Sequence, residues 1–292
     1  MAAVVRDPAW PGPAKRSGGA VRAALAVGLL GSATLAAAVA MVLSSSGGGP
    51  KETGPSSAAR VAALGASPAA LARQTAAPSP TAPAARVAAS TLLATMRGSA
   101  PRYAGPGQLA NGATAGTVPF SWYERPSVLP VVATRPGWVE VRLAQRPNES
   151  TAWVPASDVT LSRTPYEIVV DLKTTKLSLY DAGRLVFSTP AGVGTADDPT
   201  PTGQYFVAFH EQPPPGSPGY GPFILVTSAH SPAISDWEGS GDAVIGIHGP
   251  LGEDTQIGTS GAKISHGCIR LHDQALEKLS DVPAGTPIDV VS

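Results

Sequence analysis

Ile264-Ser265-His266-Gly267-Cys268-Ile269-Arg270-Leu271 contains the only cysteine of the 292-residue chain, set between a histidine and an arginine. A thiol attacks carbonyls as its thiolate, and at an ordinary pKa of about 8.5 little of it is ionised near neutrality. A nucleophilic cysteine therefore needs a base or cation close by, and His266, Arg270 and His272 are near in sequence. His248 is a further candidate. It follows the apolar run 243–247, which reads as a buried strand, and the loop 249–263 then returns the chain to the cysteine segment. A strand-end histidine and a cysteine on a later strand can thus meet in space.

Acyl transfer at an amide requires a nucleophile, a base that later acts as acid, and donors aimed at the developing oxyanion. Cys268 is the candidate nucleophile; the plainer reading is an inert buried thiol. His248 is the candidate base, with the Gly249 carbonyl placed to orient its other ring nitrogen. His266, two residues before the thiol, falls on the same strand face by alternation, and the roles of His248 and His266 can be exchanged on sequence alone. Ser265 and Gly267 flank the thiol as substrate or oxyanion contacts, the N–H groups of Gly267 and Cys268 being candidate donors. Arg270, also on that face, can grip a carboxylate with two parallel hydrogen bonds or else form a surface ion pair with Asp273 or Glu277. The Pro- and Gly-rich tract 211–222 is long for a hairpin loop and reads as a lid, with Tyr220 as a substrate contact or ordinary loop packing.

His248, the intervening loop and Ser265-His266-Gly267-Cys268-Ile269-Arg270 resemble the signature of the L,D-transpeptidase catalytic domain, a family of bacterial wall enzymes with a cysteine nucleophile. Gly192-Val193-Gly194 and Thr200-Pro201-Thr202-Gly203 support the resemblance, which covers residues 166–292. The family more often has asparagine where this chain has Arg270, which bears on substrate carboxylate contacts. The resemblance implies a tetrapeptide stem of peptidoglycan as donor, a thioester on Cys268, transfer to an acceptor amine, no cofactor, and inhibition by carbapenem-type β-lactams. It also implies a backbone carbonyl as the orienting group for the base, which Gly249 can supply. An L,D-carboxypeptidase using the same acyl-enzyme, and a non-catalytic wall-binding protein, are the alternatives. Zinc held by His248, His266, Cys268 and His272 is disfavoured, because no pair shows the usual close ligand spacing.

The formal net charge of zero conceals an asymmetry: residues 1–164 carry 15 Lys and Arg against 6 Asp and Glu, and residues 165–292 carry 6 against 15. An acidic catalytic half argues against nucleic acid as partner. One cysteine cannot form an intramolecular disulfide.

Residues 1–22 form a basic tail, and residues 23–43 run without a charge, long enough to span a bilayer core. The positive flank places the amino terminus in the cytoplasm and the catalytic domain outside, in the cell wall, as a single-pass membrane protein. A cleaved signal with Ala38-Val39-Ala40 as its site is the alternative. Residues 44–117, rich in Ala, Pro, Ser and Gly, read as a disordered tether, with room for a short helix within 84–97. Residues 118–163 show short β-rich runs at 128–133, 138–143 and 151–154. Gly137-Trp138-Val139 and Ala152-Trp153-Val154-Pro155 resemble the strand pattern of bacterial SH3-like domains. That resemblance implies a wall-binding or substrate-presenting module with Trp122, Tyr123, Trp138 and Trp153 as candidate aromatics, although Trp138 and Trp153 suit a small core better.

Residues 165–292 are expected to be an antiparallel β-sandwich with strands at 168–172, 177–180, 185–188, 205–209, 223–228, 244–247 and 288–291. A hairpin turn at 181–183 and one helix capped by Asp273 and ended at 281–283 complete the expectation.

Overall fold

The computed structural model describes residues 88–292 apart from 238, 239 and 260. The basic tail, the uncharged stretch 23–43 and the tether up to residue 87 lie outside the described residues. Among the described residues no helix is long and apolar enough to cross a membrane.

Every strand expected after residue 164 is present, within a residue or two of its expected ends. Together with the short strand Ile269–Arg270 they form one eight-stranded sheet in the order Arg184–Pro190, Lys176–Asp181, Tyr166–Asp171, Pro287–Val291, Gly203–Glu211, Ile224–His230, Val244–His248, Ile269–Arg270. The expected antiparallel sandwich is corrected to a single curled, mixed sheet, because Tyr166–Asp171 pairs parallel with Pro287–Val291 and Val244–His248 pairs parallel with Ile269–Arg270. Parallel neighbours need a crossover rather than a tight turn, and the stretch 249–268 supplies one beside the cysteine. The hairpin at 181–183 turns through Ala182 and Gly183, both at positive φ (49° and 76°), the twist that suits a two-residue connection. The curl closes around one core in which Ile168, Val170, Leu177, Val207, Leu225, Ile245, Ile247, Ile269, Leu271 and Leu276 are buried together. The helix is shorter than expected, Asp273–Glu277, and its N-cap is His272, not Asp273.

Residues 91–164 form a separate seven-stranded sheet in the order Val159–Thr164, Thr91–Met96, Val128–Arg135, Trp138–Arg142, Thr151–Pro155, Tyr103–Gly105, Gln108–Leu109. The expected tether is therefore too long at its carboxy-terminal end, and no helix forms within the described part of 84–97. Thr91–Met96 is a strand with a partner on each side, pairing with Val159–Thr164 and Val128–Arg135, and this placement buries Leu93, Ala94 and Met96. Alanine-rich, weakly charged sequence buries little on its own, and here neighbouring strands supply the apolar contact that composition alone does not reveal.

The two sheets share a second core. The face of the carboxy-terminal sheet that does not look into its own core presents Phe206, Ala208, Phe209, Ile224 and Val226, and these pack with Met96, Val118, Val141, Leu143 and Val154 of the amino-terminal sheet. The hairpin formed by Ser121–Trp122 and Arg125–Pro126 reaches across, with the Trp122 ring 5.9 Å from Phe209 and 6.0 Å from His230. Trp153 is buried and Trp138 packs edge-on against Tyr103 at 4.8 Å, so both fill structure within the amino-terminal sheet.

Candidate active site

The parallel pairing of Val244–His248 with Ile269–Arg270 sets His248 opposite Arg270 and Ile247 opposite Ile269. Because side chains alternate along a strand, Ile245, Ile247 and Ile269 enter the core while Gly246, His248 and Cys268 belong to the opposite face. That face also carries the patch covered by the amino-terminal sheet. Cys268 is partly exposed, and its Sγ accepts the Gly246 N–H at 3.4 Å. A donor aimed at sulfur favours the ionised thiol over the neutral one.

His248 is buried, and its Nδ1 lies 2.8 Å from the Gly249 carbonyl. A carbonyl only accepts, so Nδ1 carries the proton in this contact and Nε2 is the basic nitrogen of the neutral ring. Its Cδ2 edge would lie 3.7 Å from a β-carbon at Gly246, the residue whose N–H reaches the sulfur, so imidazole and thiol share one neighbourhood. Tyr220 stacks edge-on against the imidazole, ring centres 4.9 Å apart. Tyr220 is buried, and its segment is bonded to the next loop by Gly249 N–H to Tyr220 O (2.7 Å) and Leu251 N–H to Gly219 O (2.9 Å).

The turn before the thiol is built by small residues. Ser265 donates to the Cys268 carbonyl at 2.5 Å and accepts the Gly267 N–H at 3.1 Å. The Gly267 N–H, a candidate oxyanion donor by sequence, is thus already engaged. Gly267 sits at φ 115°, where a side chain would be strained and its β-carbon would come within 2.8 Å of Ile245. The strand is broken here, yet His248, His266 and Cys268 line one cleft; the His266 imidazole is exposed, 5.4 Å from the Trp237 ring and 3.8 Å from Asp198. Arg270 is buried rather than on the surface, and its backbone exchanges two 2.8 Å hydrogen bonds with Gly192. His272 pairs with Asp254 at 3.0 Å, on the exposed side.

Two contributions were not legible in the sequence. Thr200 donates to the Gly267 carbonyl at 2.7 Å and accepts the Gly194 N–H at 2.9 Å, so the two short motifs at 192–194 and 200–203 act on the thiol turn through one hydroxyl. The segment 231–243, which carried no local signal, contributes Ser231, Ile234, Trp237, Ser240 and Asp242 to the wall of the cleft, and Tyr123, in the turn of the hairpin Ser121–Trp122 and Arg125–Pro126, lines it as well. Burial pushes the Tyr123 phenol up, and the charge of Asp242 adds to that. Among the described residues no group of three or more His, Cys, Asp or Glu is arranged to hold a metal ion.

Residues 165–290 match the L,D-transpeptidase catalytic domain, the YkuD family. Among curated proteins, YkuD of Bacillus licheniformis, itself assigned as an L,D-transpeptidase, is 35% identical over 127 residues, and its namesake in Bacillus subtilis is 28% identical over the same length. The matched part is 43% of this chain, and the chain spans 66% of the length of each of these relatives. Among solved structures, L,D-transpeptidase 3 from Mycobacterium tuberculosis in complex with a faropenem-derived adduct is 17% identical, covering 53% of this chain and 91% of that one, with a TM-score of 0.35.

Proposed function

We propose that the segment 165–290 is a peptidoglycan L,D-transpeptidase that works through a thioester on Cys268. The observation that carries this reading is the parallel pairing that puts His248 and Cys268 on one sheet face, with the Gly246 N–H on the sulfur, inside the segment matched to that family. His248, its Nδ1–H held by Gly249 O, takes the thiol proton on Nε2. The sulfur then bonds to the carbonyl carbon of the third residue of a donor tetrapeptide stem, and the backbone N–H of Cys268 faces the oxyanion. When the C–N bond to the terminal D-alanine breaks, His248 returns the proton to the leaving amine. An acceptor amine next attacks the thioester and gives its proton to His248, and the C–S bond breaks to release the sulfur as thiolate, which His248 reprotonates. The energy of the cleaved amide is kept in the thioester, so no nucleotide is needed. His266 and Tyr220 border the acyl group, and Arg270 supports the site from within.

The seven-stranded sheet built within 91–164 supports an SH3-like module, and the uncharged stretch 23–43 behind a basic flank supports a membrane anchor that places the catalytic part in the cell wall. Carbapenem-type β-lactams, with a strained carbonyl open to the same thiolate, are expected to acylate Cys268. The test is intact mass of the protein after incubation with a tetrapeptide stem, with and without an acceptor stem, beside Cys268→Ala. An adduct on the wild type alone, resolved to cross-linked product when acceptor is added, is expected. Release of tripeptide with no cross-link would make the protein a carboxypeptidase, and a Cys268→Ala variant that still cross-links would end the mechanism.

A further inference from the structure

The segment 231–243 leaves the sheet after His230, bears the cleft wall and returns at Val244. Its interior is bonded to itself: Trp237 N–H to Asp242 O at 3.0 Å, Ser240 N–H to Trp237 O at 3.1 Å, Gly241 N–H to Asp236 at 2.7 Å, and Ile234 N–H to Ser231 Oγ at 3.1 Å. Such a loop moves as a unit, and its position is set where its base is fixed.

That base is fixed by the amino-terminal sheet. One guanidinium, Arg146, donates from Nε to Asp242 (2.8 Å), from one terminal nitrogen to Ser231 O (3.1 Å) and from the other to Ile234 O (3.2 Å), gripping both ends of the loop at once. Asn148 exchanges two hydrogen bonds with the backbone of His230, at 2.8 and 2.9 Å, as a strand neighbour would. The buried His230 ring completes the joint. Its Nε2 meets the Ala144 carbonyl at 3.0 Å, and its Nδ1 lies 2.9 Å from Asp242, off the line of a good hydrogen bond, so that contact is Coulombic when the ring is protonated. A lysine could not copy this, because only the planar fork of arginine reaches a carboxylate and two carbonyls together.

We infer that Arg146, although remote in sequence and outside the matched segment, is a positioning residue for the Cys268 cleft. It holds the loop 231–243 so that Trp237 lies over His266 and the wall facing the donor stem is preformed. The amino-terminal sheet is then part of the substrate-binding apparatus, not merely a separate module. The inference rests on the acyl-transfer reading above.

The experiment compares the wild type, Arg146→Ala and Arg146→Lys. Acylation of Cys268 by tetrapeptide stem is followed by intact mass across stem concentrations, alkylation of the same thiol by iodoacetamide gives a readout blind to the stem, and hydrogen exchange reports the loop. For Arg146→Ala the half-saturating stem concentration should rise about tenfold, since misplacement of a binding wall by about an ångström costs that much or more. Exchange should quicken within 231–243, and the alkylation rate should stay at the wild-type value because Gly246 and His248 are untouched. Arg146→Lys should fall between the two, and it carries the same test if the alanine variant does not fold. An unchanged stem dependence in a variant whose loop exchanges faster would overturn the inference, as would alkylation and acylation falling together. A wild type that alkylates but never acylates with stem would instead remove the transpeptidase reading.

Discussion

Gly249→Ala probes the joint between the base and the segment that covers it. A β-carbon on Gly249 would lie 2.6 Å from Gly221 N, 2.7 Å from the Tyr220 carbonyl carbon and 2.8 Å from an Asp273 oxygen. The first two are backbone atoms and cannot rotate away, so the strand-like contact between 219–221 and 249–251 has to open. Overpacking of this kind costs about 1–3 kcal/mol. Opening also weakens two backbone hydrogen bonds, from Gly249 N–H to Tyr220 O and from Leu251 N–H to Gly219 O, each worth about 1 kcal/mol. The sum is about 3–5 kcal/mol, which for an ordered region of this size corresponds to a fall in melting temperature of about 6–20 °C. The same opening draws Tyr220 off the His248 ring and turns the carbonyl that orients Nδ1, so acylation of Cys268 should slow well beyond what the remaining folded fraction explains. Calorimetry or thermal fluorescence beside stem acylation at a temperature where the variant is folded measures both. A Gly249→Ala protein that melts and acylates like the wild type would refute the reasoning, since it would mean that the two loops tolerate separation.

Thr200→Val keeps the shape but removes the donor to the Gly267 carbonyl and the acceptor for the Gly194 N–H; a loss of about 2–4 kcal/mol in denaturant unfolding and a slower alkylation of Cys268 are expected, and an unchanged alkylation rate would detach Thr200 from the thiol turn. Burial alone would raise the Asp242 carboxyl, but the charge of His230, the hydrogen bond from Arg146 and the Ala243 N–H outweigh it and hold it below the usual range. A depressed carboxyl stabilises the fold above its unfolded pKa of about 3.9, and the benefit disappears as pH falls through the lower folded value. Acid unfolding of Asp242→Asn should accordingly be shallower than that of the wild type, and equal slopes would count against the ion pair. Removing residues 1–164 would bare Phe206, Phe209, Ile224 and Val226, and the product should bind a hydrophobic dye and associate in sedimentation, whereas a dye-silent monomer would show that this face does not depend on its cover.

The sequence alone was sufficient wherever a signal is local. Alternation and turn residues located the strands of the carboxy-terminal sheet, the apolar run ending at His248 foretold a strand-end histidine, and the lone cysteine between His266 and Arg270 singled out the candidate position, because each depends on neighbours within a few residues. Tertiary structure decided what depends on distant partners. Strand order made the sheet mixed and curled, and brought Thr200 to the Gly267 carbonyl across 67 positions of sequence. It gave the weakly charged strand Thr91–Met96 a partner on each side and so order, and it carried Arg146 to Asp242 across 96 positions. A hydrogen bond between such residues leaves no periodicity behind, for its geometry exists only once the sheets have packed. The proposed nucleophile is therefore written in eight consecutive residues, while the cleft around it is assembled by the fold.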